Sequence, residues 1–495
     1  MSAFEKLSRR EFLGESACAA LGSSAVMSTL LNLKMANNAV AAGLPDTGTD
    51  RKTLVCLFLH GGIDSFNVIV PNDATRYQEY VAARGNVALS DSSLLQLNQT
   101  AGGDGRSYGL HSATSGVQNL FNGLDGDTTK RRLSFLTNVG TLIQPTNMTE
   151  YQSGSVPLPR SLFSHIDQQE QWQTSLPQGA QKLTGWAGRI ADVLHCTHNQ
   201  DLTSMSLSFD GNNIFQVGQS TQQFVMTTNG ALTFSQNSTD SSNATMQKNL
   251  TVRSLMEQEY ANMMEKAFAE LTKESVEQQE FVQQHFDSLP ENLTSVQFPN
   301  TQIGQRLEGA LRMIKLRAEL GLRRQTIFLQ MGGWDHHGAL ITPQNDMLNE
   351  LAPALEAFQK AIEEIDATEP GFTDSVVTFS ASDFARTIQS NGTGTDHAWG
   401  GNQMVFGGPV DGGKVLGTFP NLSLGGPDDT SSRGRLLPTT SVDEFFAELL
   451  MWFGLDGAAN FETVLPNLNN FFDVSNIDPT DQSTFPLGFI KPNTF

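Results

Sequence analysis

The segment FLQMGGWDHHG, residues 328–338, joins a buried-strand pattern to chemically active side chains. An apolar run ends in two glycines and is followed by Asp335 and two histidines. Residues 58–66, FLHGGIDSF, repeat the arrangement, with an apolar run, two glycines, one further residue and Asp64. Glycine at the end of a strand allows positive φ and close approach of backbone or ligand. The repeated Gly-Gly-x-Asp pattern therefore predicts two strands that carry carboxylates to the ligand-binding edge of a sheet.

Short apolar or β-branched runs recur along the chain and predict strands that are covered on both faces. These runs are residues 53–59, 132–139, 203–209, 325–331, 375–380 and 403–407. Apolar residues at helical spacing lie between them, in 303–314 and in 348–365. The alternation predicts an α/β fold, a three-layer sandwich with a mostly parallel central sheet and helices on both faces.

Two regions interrupt this alternation and predict an insertion. Residues 211–246 are rich in Asn, Gln, Ser, Thr and Gly, which favours a hairpin, and residues 247–290 favour one or two polar helices. We expect 211–290 to form a mixed cap at the edge of the sheet. A single domain is predicted over residues 50–475, and residues 476–495 are expected to form a C-terminal tail.

The first 41 residues have the form of a twin-arginine export signal. Arg9-Arg10 precede an apolar stretch of small residues, and Ala39-Val40-Ala41 offers a cleavage site. Ser and Gly interrupt the stretch, which favours removal of the signal over a stable transmembrane span. The expected location is therefore periplasmic or secreted.

Charge and cysteine content narrow the classes of function. The 495 residues include 31 basic and 52 acidic side chains, a net charge of −21, which argues against nucleic acid as a partner. An anionic substrate would need a local positive centre, either a metal ion or a few arginines. Beyond the signal, Cys56 and Cys196 leave room for one disulfide, and their spacing excludes a cysteine-based zinc site.

Carboxylates and histidines follow several of the predicted strands. Asp335 and His337 are two residues apart, so in an extended segment their side chains point to the same side. Asp383 and Arg386 follow the fifth predicted strand, and His397 lies in the glycine-rich loop beyond. Mixed Asp and His ligands suit Zn²⁺, Mn²⁺ or Fe, whereas an oxygen-richer site would admit Mg²⁺ or Ca²⁺. We expect one or two divalent ions at this edge of the sheet.

The segment 160–174 places Ser164 and His165 at a predicted helix start. Ser161 or Ser164 can cap that helix, with Asp167 in its first turn. A hydroxyl beside a metal ion can instead act as a nucleophile, and His165 can instead be a ligand. The chain contains no Walker loop, GxSxG elbow or HExxH motif, so the reactions associated with them lose their usual sequence support.

A series of motifs resembles, in order, the exported bacterial family called domain of unknown function 1501. Besides the twin-arginine start they are LFLHGGIDSFNVIVP (57–71), SLFSHIDQQEQW (161–172), LTGWAGRIAD (183–192), GGWDHHG (332–338), SDFARTIQSNGTGTDHAWGG (382–401) and RLLPTTSVDEFFAELLMWFG (435–454). The resemblance covers about residues 50–475. That family is grouped with the alkaline phosphatase and sulfatase superfamily, which implies an alkaline-phosphatase-like sandwich with a two-metal hydrolytic site.

Transferred to this chain, the resemblance implies two neighbouring metal sites. The first would be held by Asp335, His337 and His397; the second would draw on Asp64 and Asp383, with Ser164 as the bridging nucleophile. His165 is a further candidate ligand, and Arg386 a second candidate catalytic residue.

The chain departs from the superfamily pattern in ways that affect the predicted function. Phe384 follows Asp383 where the superfamily has a histidine. Asp383 itself stands where a glutamate is usual, and its side chain is shorter by one methylene. No cysteine stands at the position that sulfatases convert to formylglycine. The leading prediction is an exported metal-dependent hydrolase of phosphate or sulfate esters that acts on a small anionic ester. The alternative is a non-catalytic exported binding or surface-assembly protein on the same scaffold.

Overall fold

A large sheet with flanking helices organises the chain. The computed structural model describes residues 50–179, 184–200, 203–231 and 244–494. The strands, in chain order, are β1 (Lys52–His60), β2 (Ile69–Pro71), β3 (Leu95–Gln96), β4 (Tyr108–Leu110), β5 (Leu133–Gly140), β6 (Ser206–Ser208), β7 (Phe224–Thr227), β8 (Gly230–Ala231), β9 (Arg324–Gly332), β10 (Val376–Ser382), β11 (Gly401–Gly407), β12 (Val415–Leu416) and β13 (Thr440–Ser441).

The helices pack around this sheet in two groups. In chain order they are α1 (Ala74–Arg84), α2 (Ser115–Asn122), α3 (Met148–Ser153), α4 (His165–Thr174), α5 (Trp186–His198), α6 (Ala244–Met256), α7 (Met263–Ser288), α8 (Gln302–Lys315), α9 (Ile341–Asp366), α10 (Val442–Phe453) and α11 (Ala458–Val464). Helix α9 packs against α2 and α8, whereas α5 packs against α4 and α11.

The main sheet has the strand order β12-β5-β11-β10-β1-β9-β6-β7-β8, and β13 pairs with β5. Strand β1 is parallel to both neighbours, in a register that pairs Leu59 with Ser382 and His60 with Gly332. Within the described part of this sheet, β11 and β8 are the strands that run against the others. The predicted α/β class, with a large, mostly parallel sheet and flanking helices, is confirmed.

Apolar periodicity accounts for the helices that cover the sheet. In α8, Ile303, Leu307, Leu311 and Ile314 are at most 2% exposed. Burying a side chain of this size contributes about 1.5–3 kcal/mol, so the stripe fixes which face of the helix packs inward. The corresponding stripe of α9 is buried in the same way.

All six predicted main-sheet strands are present, and the sequence did not indicate the direction of β11. A continuous apolar run shows that both faces are buried but carries no information about strand direction. A second sheet, β2-β4-β3, was not predicted, because strands of two or three residues are too short to show periodicity.

The described parts of the segment 211–290, residues 211–231 and 244–290, include a strand pair at the edge of the main sheet. Its strand β7 pairs in parallel with β6, and the antiparallel pair β7-β8 forms a hairpin. Helix α7 contacts β8 and leaves Met264 and Phe268 exposed.

The C-terminal segment 476–495, predicted as a tail, is tied to the core through Glu448 of α10. The backbone N–H groups of Leu487, Gly488 and Ile490 donate hydrogen bonds of 2.8, 2.8 and 2.7 Å to its carboxylate. Glu448 is fully buried, and burial raises its pKa to about 7. Ile490 is itself fully buried, so this segment completes the interior.

Two further expectations concern cysteines and export. No disulfide joins Cys56, which is buried in β1, to Cys196, which is exposed on α5. The predicted export signal, residues 1–41, lies outside the described residues. Among the described helices, none combines the length and the apolar character needed to cross a membrane.

Candidate metal centre

The two Gly-Gly-x-Asp motifs meet at one edge of the sheet because β10, β1 and β9 end side by side. Gly61 has φ of 115°, and a Cβ atom there would lie 2.6 Å from the backbone nitrogen of Asp335. Gly62 has φ of 78°, and a Cβ atom there would lie 2.6 Å from the ring of Phe384. Only glycine therefore lets the chain after β1 run so close to the segments that carry the polar side chains.

The carboxylate of Asp335 is the meeting point of three imidazoles. Its Oδ1 lies 3.0 Å from Nε2 of His337 and 3.4 Å from Nε2 of His397. Its Oδ2 lies 3.4 Å from Nε2 of His165. The Nε2 atoms of His337 and His397 are 2.8 Å apart. His165, Asp335 and His397 form a group that could hold a metal ion, since one ligand atom from each lies within 4.8 Å of the others.

In each of the three imidazoles, Nδ1, the ring nitrogen that faces away from Asp335, contacts an oxygen atom at hydrogen-bond distance. The contacts are His165 to Asp383 Oδ2 at 2.6 Å, His337 to Asp396 Oδ1 at 3.2 Å, and His397 to the carbonyl oxygen of Phe163 at 2.7 Å. A carbonyl only accepts hydrogen bonds, so Nδ1 of His397 carries the proton and its Nε2 presents a lone pair in the neutral ring. Oxygen acceptors behind metal-binding histidines commonly fix the tautomer in this way.

The spacing of these atoms fits a divalent cation. Four ligands about 2.0 Å from a tetrahedral zinc ion lie about 3.3 Å from one another, close to the 3.0–3.4 Å found around Asp335. The Nε2 atoms of His337 and His397 are close enough that a proton or a metal cation must lie between them, since two facing lone pairs would repel. His165, Asp335 and His397 therefore fit a single ion as two nitrogen ligands and one carboxylate. His337 lies 3.0 Å from the same carboxylate but is outside that group.

Asp383, predicted as a ligand, lies behind His165. It is fully buried, and its carboxylate accepts hydrogen bonds from the Gly61 N–H at 3.2 Å and from Gln169 Nε2 at 2.8 Å. Its third contact is the 2.6 Å bond to Nδ1 of His165. This arrangement lets Asp383 orient the His165 ring.

Asp64, the other predicted ligand of a second site, is paired with an arginine. Arg84 of α1 places Nη2 2.5 Å from Asp64 Oδ2, and both side chains are fully buried. Gln344 of α9 donates to the backbone oxygen of Asp64 at 3.0 Å. Asp64 is absent from the group of potential metal ligands formed by the described residues.

The two predicted catalytic residues have different surroundings. Ser164 precedes α4 as its N-cap, and its hydroxyl donates to Asp167 Oδ2 at 2.7 Å without bonding to the backbone. Arg386 is fully buried, and its Nη1 lies 2.5 Å from Asp335 Oδ1. It also donates to the carbonyl oxygen of Thr395. Arg386 is thus placed to hold Asp335 and is covered from solvent.

Hydrogen bonds, neighbouring charges and burial shift the pKa values of Asp335, His165 and His397 in different directions. Burial opposes ionisation of Asp335, but the hydrogen bond and charge of Arg386 outweigh it and lower the pKa of the carboxyl. The hydrogen bond that His165 donates to Asp383 raises the pKa of His165. Burial lowers the pKa of His397, which favours its neutral, ligating form.

Several contacts were not predicted from the sequence. Arg433 places Nη2 2.6 Å from Asp396 Oδ2, and Arg435 donates to the carbonyl of His397 at 2.9 Å. Their spacing of two residues was an available signal, since it puts both side chains on one side of an extended segment. The backbone carbonyl of Phe163, in a residue with φ of 73°, had no sequence signal.

Comparison with known proteins identifies a family. No curated protein matches the sequence. Among solved structures, the chain is similar to the integral membrane protein lipooligosaccharide phosphoethanolamine transferase A (EptA) from Neisseria meningitidis, at 10% identity and a TM-score of 0.26, over 99% of this chain and 75% of that one. That TM-score is too low to support any inference. Residues 51–465 match the family described as "Protein of unknown function (DUF1501)", and the chain therefore belongs to the DUF1501 family.

Proposed function

We propose that the protein is an exported hydrolase that uses one divalent metal ion to cleave phosphate or sulfate esters. The observation that carries this proposal is the convergence of three imidazole Nε2 atoms on Asp335. The Nδ1 atom of each ring is hydrogen-bonded to an oxygen atom, which orients the ring. Imidazole and carboxylate ligands favour a zinc-like ion over calcium or magnesium.

Arginines around the centre support an anionic substrate. Arg433 has a side chain that is 44% exposed, and Arg435 lies over the ring of Phe163 at 4.1 Å. Both contact the loop that carries His397. Arg433 is ion-paired with Asp396, so Arg435 would supply most of the local positive field that draws an anionic ester to the centre in a chain of net charge −21.

The side chains around the centre have distinct proposed roles. A bound divalent ion would act as a Lewis acid on the phosphoryl or sulfuryl oxygen. Arg386 holds Asp335 in place, and Asp383 fixes the His165 ring. Ser164 is the proposed nucleophile, and Asp167, which already accepts its hydroxyl hydrogen bond at 2.7 Å, is positioned to take its proton.

The proposed location is the periplasm or the exterior, without a stable transmembrane span. The twin-arginine pattern of the first 41 residues supports it. Replacing Arg9 and Arg10 together by Lys should retain the protein in the cytoplasm, which cell fractionation would measure.

A non-catalytic binding role is the second candidate. The contact of Asp64 favours it, since its carboxylate is occupied by Arg84 and is not free to hold a second metal ion. A one-ion centre of this kind could stabilise the strand ends or bind an anion without turnover.

Metal content and ester turnover together test the proposal. We expect about one zinc-like ion per purified chain, and chelator-sensitive hydrolysis of 4-nitrophenyl phosphate or 4-nitrophenyl sulfate. His397→Gln should lose both, whereas His285→Gln on α7 is the matched control and should keep both. A folded chain that contains no metal after incubation with zinc would contradict the proposal. A chain that binds the ion but turns over neither ester would favour the non-catalytic role.

A further inference from the structure

A cavity of about 800 Å³ adjoins the candidate metal centre. Two of its lining residues also face Asp383: Gln169 donates to that carboxylate at 2.8 Å, and His60 places Nδ1 3.9 Å from it. The volume lies within the range of sites that bind small molecules. A group attached to an ester held at the centre could therefore extend into this cavity.

Uncharged amides are the most frequent polar side chains in the lining of the cavity. Its Asn and Gln side chains come from α4, from the loop before β7 and from β9. Among the described lining residues, Glu170 is the one with a carboxylate, and Arg160 neutralises it at 2.5 Å. The described lining includes no lysine or arginine. The wall thus combines apolar surface with uncharged polar groups and carries little net charge.

Three of these amides are available to a ligand. Asn212, Gln219 and Gln222 are exposed, and their side-chain amides make no hydrogen bond with another described residue. Each amide offers donors and an acceptor. A hydroxyl group likewise donates and accepts, so adjacent hydroxyls on a ligand match such a wall.

The loop that carries the three amides is held in place by other polar side chains. Gln173 Oε1 accepts from the backbone N–H groups of Ile214 and Phe215, both at 3.0 Å. Asp192 accepts from the N–H groups of Gln219 and Thr221 at 2.6 and 2.8 Å. A wall fixed in this way loses less conformational entropy on binding.

We propose that this cavity is a binding site for a neutral saccharide, and that the ester cleaved at the centre is a sulfate or phosphate ester of a carbohydrate. The second clause rests on the proposed function, whereas saccharide binding in the cavity does not. Exposed Ile166, with Ile214 and Val217, supplies apolar surface for the C–H faces of a sugar ring.

The lining disfavours other common ligand groups. A nucleotide or a second anionic group would need arginine or lysine side chains, which the described lining does not include. An acyl chain in this cavity would bury the free amides without hydrogen bonds, which is costly.

Saccharide binding can be measured without any turnover. We would titrate the purified full chain with maltotriose, cellotriose, xylotriose, mannotriose and galactotriose, by calorimetry and saturation-transfer NMR. At least one should bind, and the double variant Asn212→Ala/Gln222→Ala should weaken that binding about 10-fold or more through the lost hydrogen bonds. Gln258→Ala, an exposed residue outside the cavity, is the matched control and should leave the affinity unchanged.

The outcomes separate the cavity from the chemistry. Absence of binding to all five trisaccharides, or binding that the double variant leaves unchanged, would overturn the inference even if aryl esters are hydrolysed. Binding that depends on the two amides, in a protein that hydrolyses neither the aryl esters nor a sulfate or phosphate ester of the bound saccharide, would uphold the saccharide site and reject the hydrolase.

Discussion

The ends of β1 and β9 carry the same Gly-Gly-x-Asp pattern, yet their carboxylates have opposite surroundings. Asp64 is fully buried and paired with a buried arginine, Arg84. Asp335 has a side chain that is 42% exposed and faces three imidazoles. The glycines set where each chain leaves the sheet, whereas side chains from distant segments decide what each carboxylate does. One motif therefore stabilises the fold, and its repeat forms the candidate site.

The largest expected effect comes from the buried motif. Asp64→Asn removes the charge that neutralises Arg84 within the interior, and an unpaired buried charge costs about 3–5 kcal/mol. We expect the free energy of unfolding to fall by about that amount in urea denaturation, with zinc affinity of the folded protein unchanged. A variant as stable as the wild type would show that the two motifs are not specialised as described.

A second substitution should disturb both motifs together. Gly61→Ala places a methyl group 2.6 Å from the Asp335 nitrogen at a φ of 115°, and strain and overpacking each cost about 1–3 kcal/mol. We expect lower stability by about 2–4 kcal/mol and weaker zinc binding, measured by denaturation and calorimetry. Gly126→Ala is the control, since its φ is also positive but no atom lies within 4 Å of a Cβ atom there. Lower stability with unchanged zinc affinity would show that the turn at Gly61 does not position Asp335.

A substitution in the exposed motif should mainly weaken zinc binding, whereas Asp64→Asn should mainly lower the free energy of unfolding. Asp335→Asn keeps an oxygen for Arg386 but removes the ligand's charge, so zinc affinity should fall about 100-fold, or about 2.7 kcal/mol. The stability of the metal-free protein should also fall, because Arg386 is fully buried and loses its paired charge, but by less than in Asp64→Asn, since Asp335 itself is 42% exposed. Calorimetry with zinc and thermal unfolding of the metal-free protein measure the two effects. Equal zinc affinity in variant and wild type would remove Asp335 from the centre.

The smallest expected effect is a pH dependence confined to the exposed motif. The hydrogen bond that His165 donates to Asp383 raises the pKa of His165, so this ring holds a proton to higher pH than an ordinary histidine. As pH falls through that pKa, zinc must displace the proton, and the affinity should drop by up to about 10-fold per pH unit. The stability of the metal-free protein should change with pH in the opposite direction and decrease as pH rises. The contribution of His165 is complete below its unfolded pKa and is lost as pH rises through the folded value.

Calorimetry in buffers of different ionisation enthalpy would count the protons released on zinc binding. His165→Gln should flatten the pH profile of affinity, and His285→Gln should not. A profile that stays steep in His165→Gln would assign the released proton to another group.

The sequence predicted the sheet well because its signals are local. Apolar runs and helical stripes report burial, and burial determines most of this architecture, as α8 and the six main-sheet strands illustrate. Strand direction is not local information, so the reversal of β11 was not predicted.

The candidate site was predicted less completely, for a related reason. The spacing of Asp335 and His337 indicated a shared side, and the structure places their side chains 3.0 Å apart. Asp64 and Arg84 are 20 residues apart in the sequence and pair in the interior. No sequence pattern around either residue predicts this pair. The support of His397 comes from a backbone carbonyl, which every residue possesses.

The anchoring of the C-terminal segment has a consequence for biosynthesis. Until residues 487–490 have been made, α10 carries an interior acid whose three amide donors do not yet exist. A nascent chain still lacking that stretch cannot finish its native packing, so the folding of α10 and its surroundings is completed only once residues 487–490 have left the ribosome.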